Sequence, residues 1–122
     1  MARILLADDS GIVLSLHSYI LENAGHDCAG VNNGYMALEA LMRESFDMVV
    51  TDVNMPRMDG YELTRRIRTL DDYKKVPIII ISTEQEAKSK AKGLAAGADV
   101  YIVKPTDPAA LVVYVNMLLA AG

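Results

Sequence analysis

The sequence contains one cysteine, Cys28, so it has no internal disulfide. That suits a reducing, cytoplasmic setting. Cys28 itself reads as a buried thiol used as a small apolar residue. No apolar run approaches the ~20 residues that a membrane-crossing helix needs, so no membrane partner is expected. Asp8 and Asp9 arrive almost at once, and no signal peptide is expected. Basic residues are not in excess. The formal net charge is -4, which argues against a dedicated nucleic-acid binder. Linkers, internal repeats and low-complexity stretches are also missing, so residues 1–122 read as one domain.

What is present is a rhythm. The chain is 52% hydrophobic and 23% charged, the balance of a globular domain able to bury a core. Short apolar runs recur at Ile4 to Ala7, Cys28 to Val31, Met48 to Thr51, Ile78 to Ile81 and Val100 to Val103. Four are continuous rather than alternating, as strands covered on both faces require. The run from Cys28 contains Gly30 and reads as an edge. Helical stripes lie between: Val13, Leu16 and Ile20; Ala37, Leu38 and Leu41; Leu63, Ile67 and Leu70; Ala87, Ala91, Leu94 and Ala95. Gly25 and Gly97 stop two of these helices, and Asp107-Pro108 starts a fifth. Five strand–helix repeats predict an α/β, doubly wound sandwich with a five-stranded parallel sheet in the flavodoxin-like order 2-1-3-4-5.

Such a sheet gathers its chemistry beyond the carboxyl ends of its strands. Strand 1 ends in Asp8 and Asp9, strand 3 in Asp52, strand 4 in Ser82 and Thr83, and strand 5 in Lys104. Close carboxylates repel, which raises at least one pKa unless a cation intervenes. Hard carboxylate oxygens suit Mg²⁺. A carboxylate can also act as a nucleophile and form an aspartyl phosphate. A transferring phosphoryl group then needs the donors and cations that Ser82, Lys104 and nearby N–H groups supply.

The segments "ILLADDS", "VVTDVNMPRMDGYEL", "PIIIIST" and "GADVYIVKP", in this order and spacing, resemble the receiver domain of two-component response regulators. The short chain is most similar to the stand-alone chemotaxis type. The resemblance implies a switch phosphorylated by a histidine kinase on Asp52, with Mg²⁺ held by Asp8, Asp9, Asp52 and the backbone carbonyl of Asn54. It implies that Lys104 pairs with the phosphoryl group, that Ser82 binds it in the active state and that Tyr101 turns inward with it. The Lys104-Pro105 bond would be cis. Asn54 and Glu84 would overlook the route of the attacking water and set the phosphoryl lifetime. The surface around the fourth helix, fifth strand and fifth helix would then meet an output partner. Such a protein is an enzyme only in catalysing its own phosphorylation and hydrolysis.

Other readings stand beside this one. A degenerate receiver would bind a partner without phosphorylation. A haloacid-dehalogenase-like phosphatase wants a second aspartate where Asn54 stands. A flavin or nucleotide carrier would need a Gly-rich phosphate loop, and neither G-x-G-x-x-G nor a Walker A pattern occurs. Several residues have plainer roles: Asp59 as a helix cap, His17 and His26 as solvated surface residues, Lys88, Lys90 and Lys92 as the wet face of the fourth helix, and the methionines as gap fillers. The fifth helix carries no charge after Asp107. Leu111, Val115, Leu118 and Leu119 can fill an inward stripe. Val112, Val113, Tyr114 and Met117 are left over, and with Tyr101 they mark an expected interface for a homodimer or a partner.

Overall fold

Strands Arg3–Ala7 (β1), Asp27–Val31 (β2), Met48–Thr51 (β3), Ile78–Ser82 (β4) and Val100–Val103 (β5) alternate with five helices. These are Gly11–Asn23 (α1), Gly34–Arg43 (α2), Gly60–Thr69 (α3), Ala87–Ala96 (α4) and Pro108–Ala121 (α5). The structure is a computed structural model and describes residues 2–121. Every strand pair is parallel and the order is β2-β1-β3-β4-β5, as expected. β3 and β4 are buried along their whole lengths. The period of two explains why their apolar runs are continuous. Val49, Ile78 and Ile80 face one cluster with Leu63 and Ile67 of α3. Met48, Val50, Ile79 and Ile81 face the other with Leu111 and Val115 of α5. Each such side chain contributes about 1.5–3 kcal/mol when fully buried. β2 is the half-exposed edge that Gly30 suggested.

The helix ends follow capping chemistry. Ser10 Oγ accepts from the Val13 N–H, Asn33 from Met36, Asp59 from Glu62 and Asp107 from Ala110. α4 stops at Gly97, whose φ of +119 is left-handed. Because Ser10 caps α1, Asp8 and Asp9 are not needed as its N-cap residue. Among the described residues no helix is long and apolar enough to cross a membrane.

Several expectations are corrected. In α1 the inward face is His17 and Leu21, flanked by Leu14 and Ile20, while Leu16 points out. In α4 the buried residues are Gly93 and Ala96, and Leu94 is 51% exposed. In α4 a large apolar residue was the wrong guide to phase, because the Tyr101 ring fills the space in front of Gly93. Val112 is half-buried against the core, so it offers less surface to the expected interface than its neighbours. Val113, Tyr114 and Met117 are exposed. Met48, Met55 and Met58 fill gaps, whereas Met36, Met42 and Met117 are exposed. Cys28 is half-buried, and burial raises its thiol to about 11.

The histidines are not fully solvated: His17 is buried and His26 is half-buried. His26 Nδ1 accepts from the Ala2 N–H and Nε2 meets Asn116 Oδ1 at 2.8 Å. His17 is only 6% exposed. Burial lowers its pKa below the ordinary 6.5, and the Lys104 ammonium pushes the same way. A base whose folded value is lowered contributes stability above its unfolded pKa and loses it as pH falls through the folded value. The melting temperature should therefore fall on acidification below about pH 6.5, with a slope from this group of at most about 1.4 kcal/mol per pH unit. His17→Leu should flatten that slope. Equal slopes in the two proteins would rule the contribution out.

Candidate functional site

The tips of β1, β3 and β5 meet at one end of the sheet. The Asp8 N–H donates to Val31 O and the Asp52 N–H to Ala7 O, at 3.1 and 2.8 Å, so both acids continue the strand ladder by one step. Their carboxylates inherit the rigidity of the sheet. Ligand oxygens of Asp8, Asp9 and Asp52 lie within 4.8 Å of one another. Asp8 and Asp52 are buried and Asp9 is exposed, so the cluster opens to solvent on one side.

One ammonium answers these three carboxylates. Lys104 Nζ lies 2.7 Å from Asp8 Oδ2 and 3.4 Å from Asp52 Oδ2. It follows directly on β5, anchored by its N–H to Ser82 O at 2.7 Å, and the Lys104-Pro105 bond is cis. Asp8 Oδ1 accepts from the Ser10 N–H at 2.9 Å, and Asp52 Oδ1 from the Val53 N–H at 2.8 Å. Burial raises the Asp52 pKa above the ordinary 3.8, the Lys104 charge opposes that, and Asp8 adds to it. The set of hard oxygens, with more negative charge than one lysine balances, fits a divalent cation such as Mg²⁺.

The hydroxyl side of the site lies on β4. Ser82 is buried, and its Oγ accepts from the Glu84 N–H at 3.1 Å. Tyr101 is half-buried on β5 beside Ile80 and donates its O–H to the Glu84 carbonyl at 2.9 Å. Asn54 is exposed in the loop after Asp52, and Glu84 is half-buried. The crevice therefore brings Asp8, Asp9 and Asp52 together and sets Lys104 against Asp8 and Asp52. Val113 and Met117 are exposed on α5.

Three supports were not legible beforehand. Thr51 Oγ1 donates to the Asp52 carbonyl at 2.9 Å. The Gly60 N–H donates to Val53 O at 2.8 Å, bringing the start of α3 against the end of β3. Between them Arg57 adopts a φ of 70 within a tight turn closed by the Met58 N–H on Pro56 O. A non-glycine residue held there is strained, and such strain persists only where the surroundings over-determine it. A glycine would have signalled the turn; an arginine gives no such sign.

The family model of the response regulator receiver domain matches residues 4–116. Among curated relatives, protein PilH of Pseudomonas aeruginosa is 32% identical over 120 residues, covering 98% of this chain and 99% of that protein. Other relatives are much longer: the chain spans 13% of one that it matches at 35% identity over 102 residues. Among solved structures, the chemotaxis response regulator CheY4 of Vibrio cholerae superposes with a TM-score of 0.91 at 34% identity, covering 97% of this chain and 98% of that one. The receiver domain of sensor histidine kinase PA1611 from Pseudomonas aeruginosa, solved with a magnesium ion in its active site cleft, has a TM-score of 0.91 at 27% identity and covers 98% of both chains. With its acidic triad at the carboxyl end of a 2-1-3-4-5 sheet, the chain belongs to the response regulator receiver domain family.

Proposed function

We propose that the chain is a phosphorylation-activated signalling switch that takes a phosphoryl group from a histidine kinase onto Asp52. The observation that carries this reading is the placement of the buried Asp52 carboxylate 3.4 Å from Lys104 Nζ and beside Asp8 and Asp9. A carboxylate oxygen of Asp52 attacks phosphorus, the P–N bond of the phosphohistidine breaks, and the imidazole leaves. The product is an acyl phosphate. Lys104 faces the negative charge that develops on the transferred group. Asp8, Asp9, Asp52 and the Asn54 carbonyl would hold Mg²⁺, which neutralises charge on the phosphoryl oxygens. Phosphoryl uptake from acetyl phosphate, followed by intact mass, tests the reading; no uptake leaves a binding module that works without phosphorylation.

Hydrolysis reverses the modification: water adds to phosphorus, the acyl P–O bond breaks and Asp52 is regenerated. Asn54, two residues beyond the acceptor, and Glu84, two beyond Ser82, are both small or flexible polar side chains that leave the approach open. A short-lived phosphoryl group follows. Asn54→Arg should lengthen its lifetime severalfold in a decay time course, and an unchanged rate would remove these residues from the account.

On the output side, α5 itself carries no charged residue. Val113 and Met117 stand one turn apart on α5, 54% and 62% exposed. Exposed apolar side chains grouped in this way mark partner sites. Sedimentation with and without beryllofluoride should show self-association that changes with the phosphoryl mimic. A monomer in both states, with target binding unaffected by Val113→Lys and Met117→Lys, would exclude this surface.

A further inference from the structure

α4 buries a glycine and exposes a leucine, the reverse of what an amphipathic helix does. The glycine is Gly93, in the helix interior, where it destabilises by roughly 0.5–1 kcal/mol relative to alanine. A Cβ at that position would stand 2.9 Å from Tyr101 Cδ2, 3.1 Å from Ile80 Cδ1 and 3.4 Å from Tyr101 Cε2. The Tyr101 ring therefore lies against the bare backbone of α4, in a space that exists only because residue 93 has no side chain. Its hydroxyl reaches over that slot to the Glu84 carbonyl. The same residue, Glu84, donates its N–H to Ser82 Oγ. Tyr61 closes the other side, with its own hydroxyl on the Ser89 carbonyl of α4 at 3.3 Å.

We propose that Gly93 is a positioning residue of the switch: its slot seats Tyr101 inward, where Tyr101 and Ser82 grip the two backbone groups of Glu84 and couple β5 to the acceptor site. This rests on the reading of Asp52 as acceptor and of Ser82 and Tyr101 as its responders. In this seat the Tyr101 hydroxyl reaches the Glu84 carbonyl, and a substitution that unseats the ring depopulates the state in which it does so. A ligand that prefers that state binds more weakly by the fraction by which the state is depopulated.

A methyl group at residue 93 would crowd the Tyr101 ring and the Ile80 Cδ1 methyl, with Tyr101 Cδ2 too near for an ordinary carbon contact, so the ring or the helix must shift. Gly93→Ala should thus weaken beryllofluoride binding, measured calorimetrically with Mg²⁺ present, by roughly tenfold, the scale of one lost hydrogen bond and its packing. Alanine is the better helix former, so the variant keeps its fold. In 3-fluorotyrosine-labelled protein the Tyr101 ¹⁹F resonance, assigned with Tyr101→Phe, should shift toward a solvent-exposed value. In a Tyr101→Ala background Gly93→Ala should have no further effect on affinity, which a merely structural role would not produce. Equal affinity of Gly93→Ala and wild type, or an equal loss with and without the Tyr101 ring, would overturn the inference alone. Failure of the wild type to bind beryllofluoride would overturn the acceptor reading and the inference with it.

Discussion

Asp52→Asn should abolish phosphoryl uptake and raise the thermal stability of the metal-free protein at neutral pH. The first effect follows from chemistry. An amide is not a nucleophile toward phosphorus, and exposed Asp9 does not have the Lys104 contact that Asp52 has. Intact mass after acetyl phosphate treatment should show the wild type modified and the variant not; a normal mass increase in Asp52→Asn would move the acceptor elsewhere. Asp9→Ala should slow uptake and weaken Mg²⁺ binding without abolishing the reaction. The second effect follows from burial. The Asp52 carboxyl is harder to ionise in the fold than in the unfolded chain. A folded value raised in this way means that the folded state binds more protons. Its contribution to stability is fully present below the unfolded value near pH 3.8 and is lost as pH rises through the folded value. At neutral pH the ionised group is a net burden, only partly relieved by Lys104. The asparagine variant should melt higher at pH 7, and the gain should shrink as pH approaches 4. A melting temperature at pH 7 equal to or below that of the wild type would mean that the lysine fully offsets the buried charge.

How far the sequence alone carried the reading depends on which physical signal each residue leaves. The strands were legible because both faces are covered, so that Ile78, Ile79, Ile80 and Ile81 could be read without choosing a face. The acids were legible because Asp8, Asp9 and Asp52 follow such apolar runs at the strand ends. Helix phase was another matter. α1 and α4 bury His17, Gly93 and Ala96, and they expose Leu16 and Leu94. A residue is buried by what stands opposite it: the Tyr101 ring takes the room in front of Gly93. That partner lies on a different strand, and no periodicity within α4 reports it. The backbone turn at Arg57 and the close approach at Gly60 are likewise tertiary facts. Asp59, by contrast, acts as the plain N-cap of α3 that its place before Gly60 suggested.

Gly60→Ala should be the most damaging small substitution in the chain. A Cβ there would stand 2.0 Å from the Asp52 carbonyl oxygen, 2.9 Å from its carbon and 3.0 Å from Val53 Cα. All three are backbone atoms of the segment that carries Asp52, so no side chain can swing aside. The Asp52 carbonyl is further held by the Thr51 hydroxyl, and Gly60 itself is tied to Val53 O by its N–H. Either the end of β3 or the first turn of α3 must move. Overpacking of this kind costs about 1–3 kcal/mol and occasionally more. With no flexible partner to yield, we expect the upper end, a fall in melting temperature on the order of 10 °C. Because the displaced carbonyl belongs to Asp52, the surviving folded protein should also take up phosphoryl groups more slowly, in proportion to how far the carboxylate leaves Lys104. Gly11→Ala is the matched control: nothing lies within 4 Å of its Cβ position, and alanine at the start of α1 should leave both stability and uptake unchanged or slightly improved. If Gly60→Ala melts with the wild type and takes up phosphoryl groups at the same rate, the close approach of α3 to β3 is not what fixes the Asp52 carboxylate.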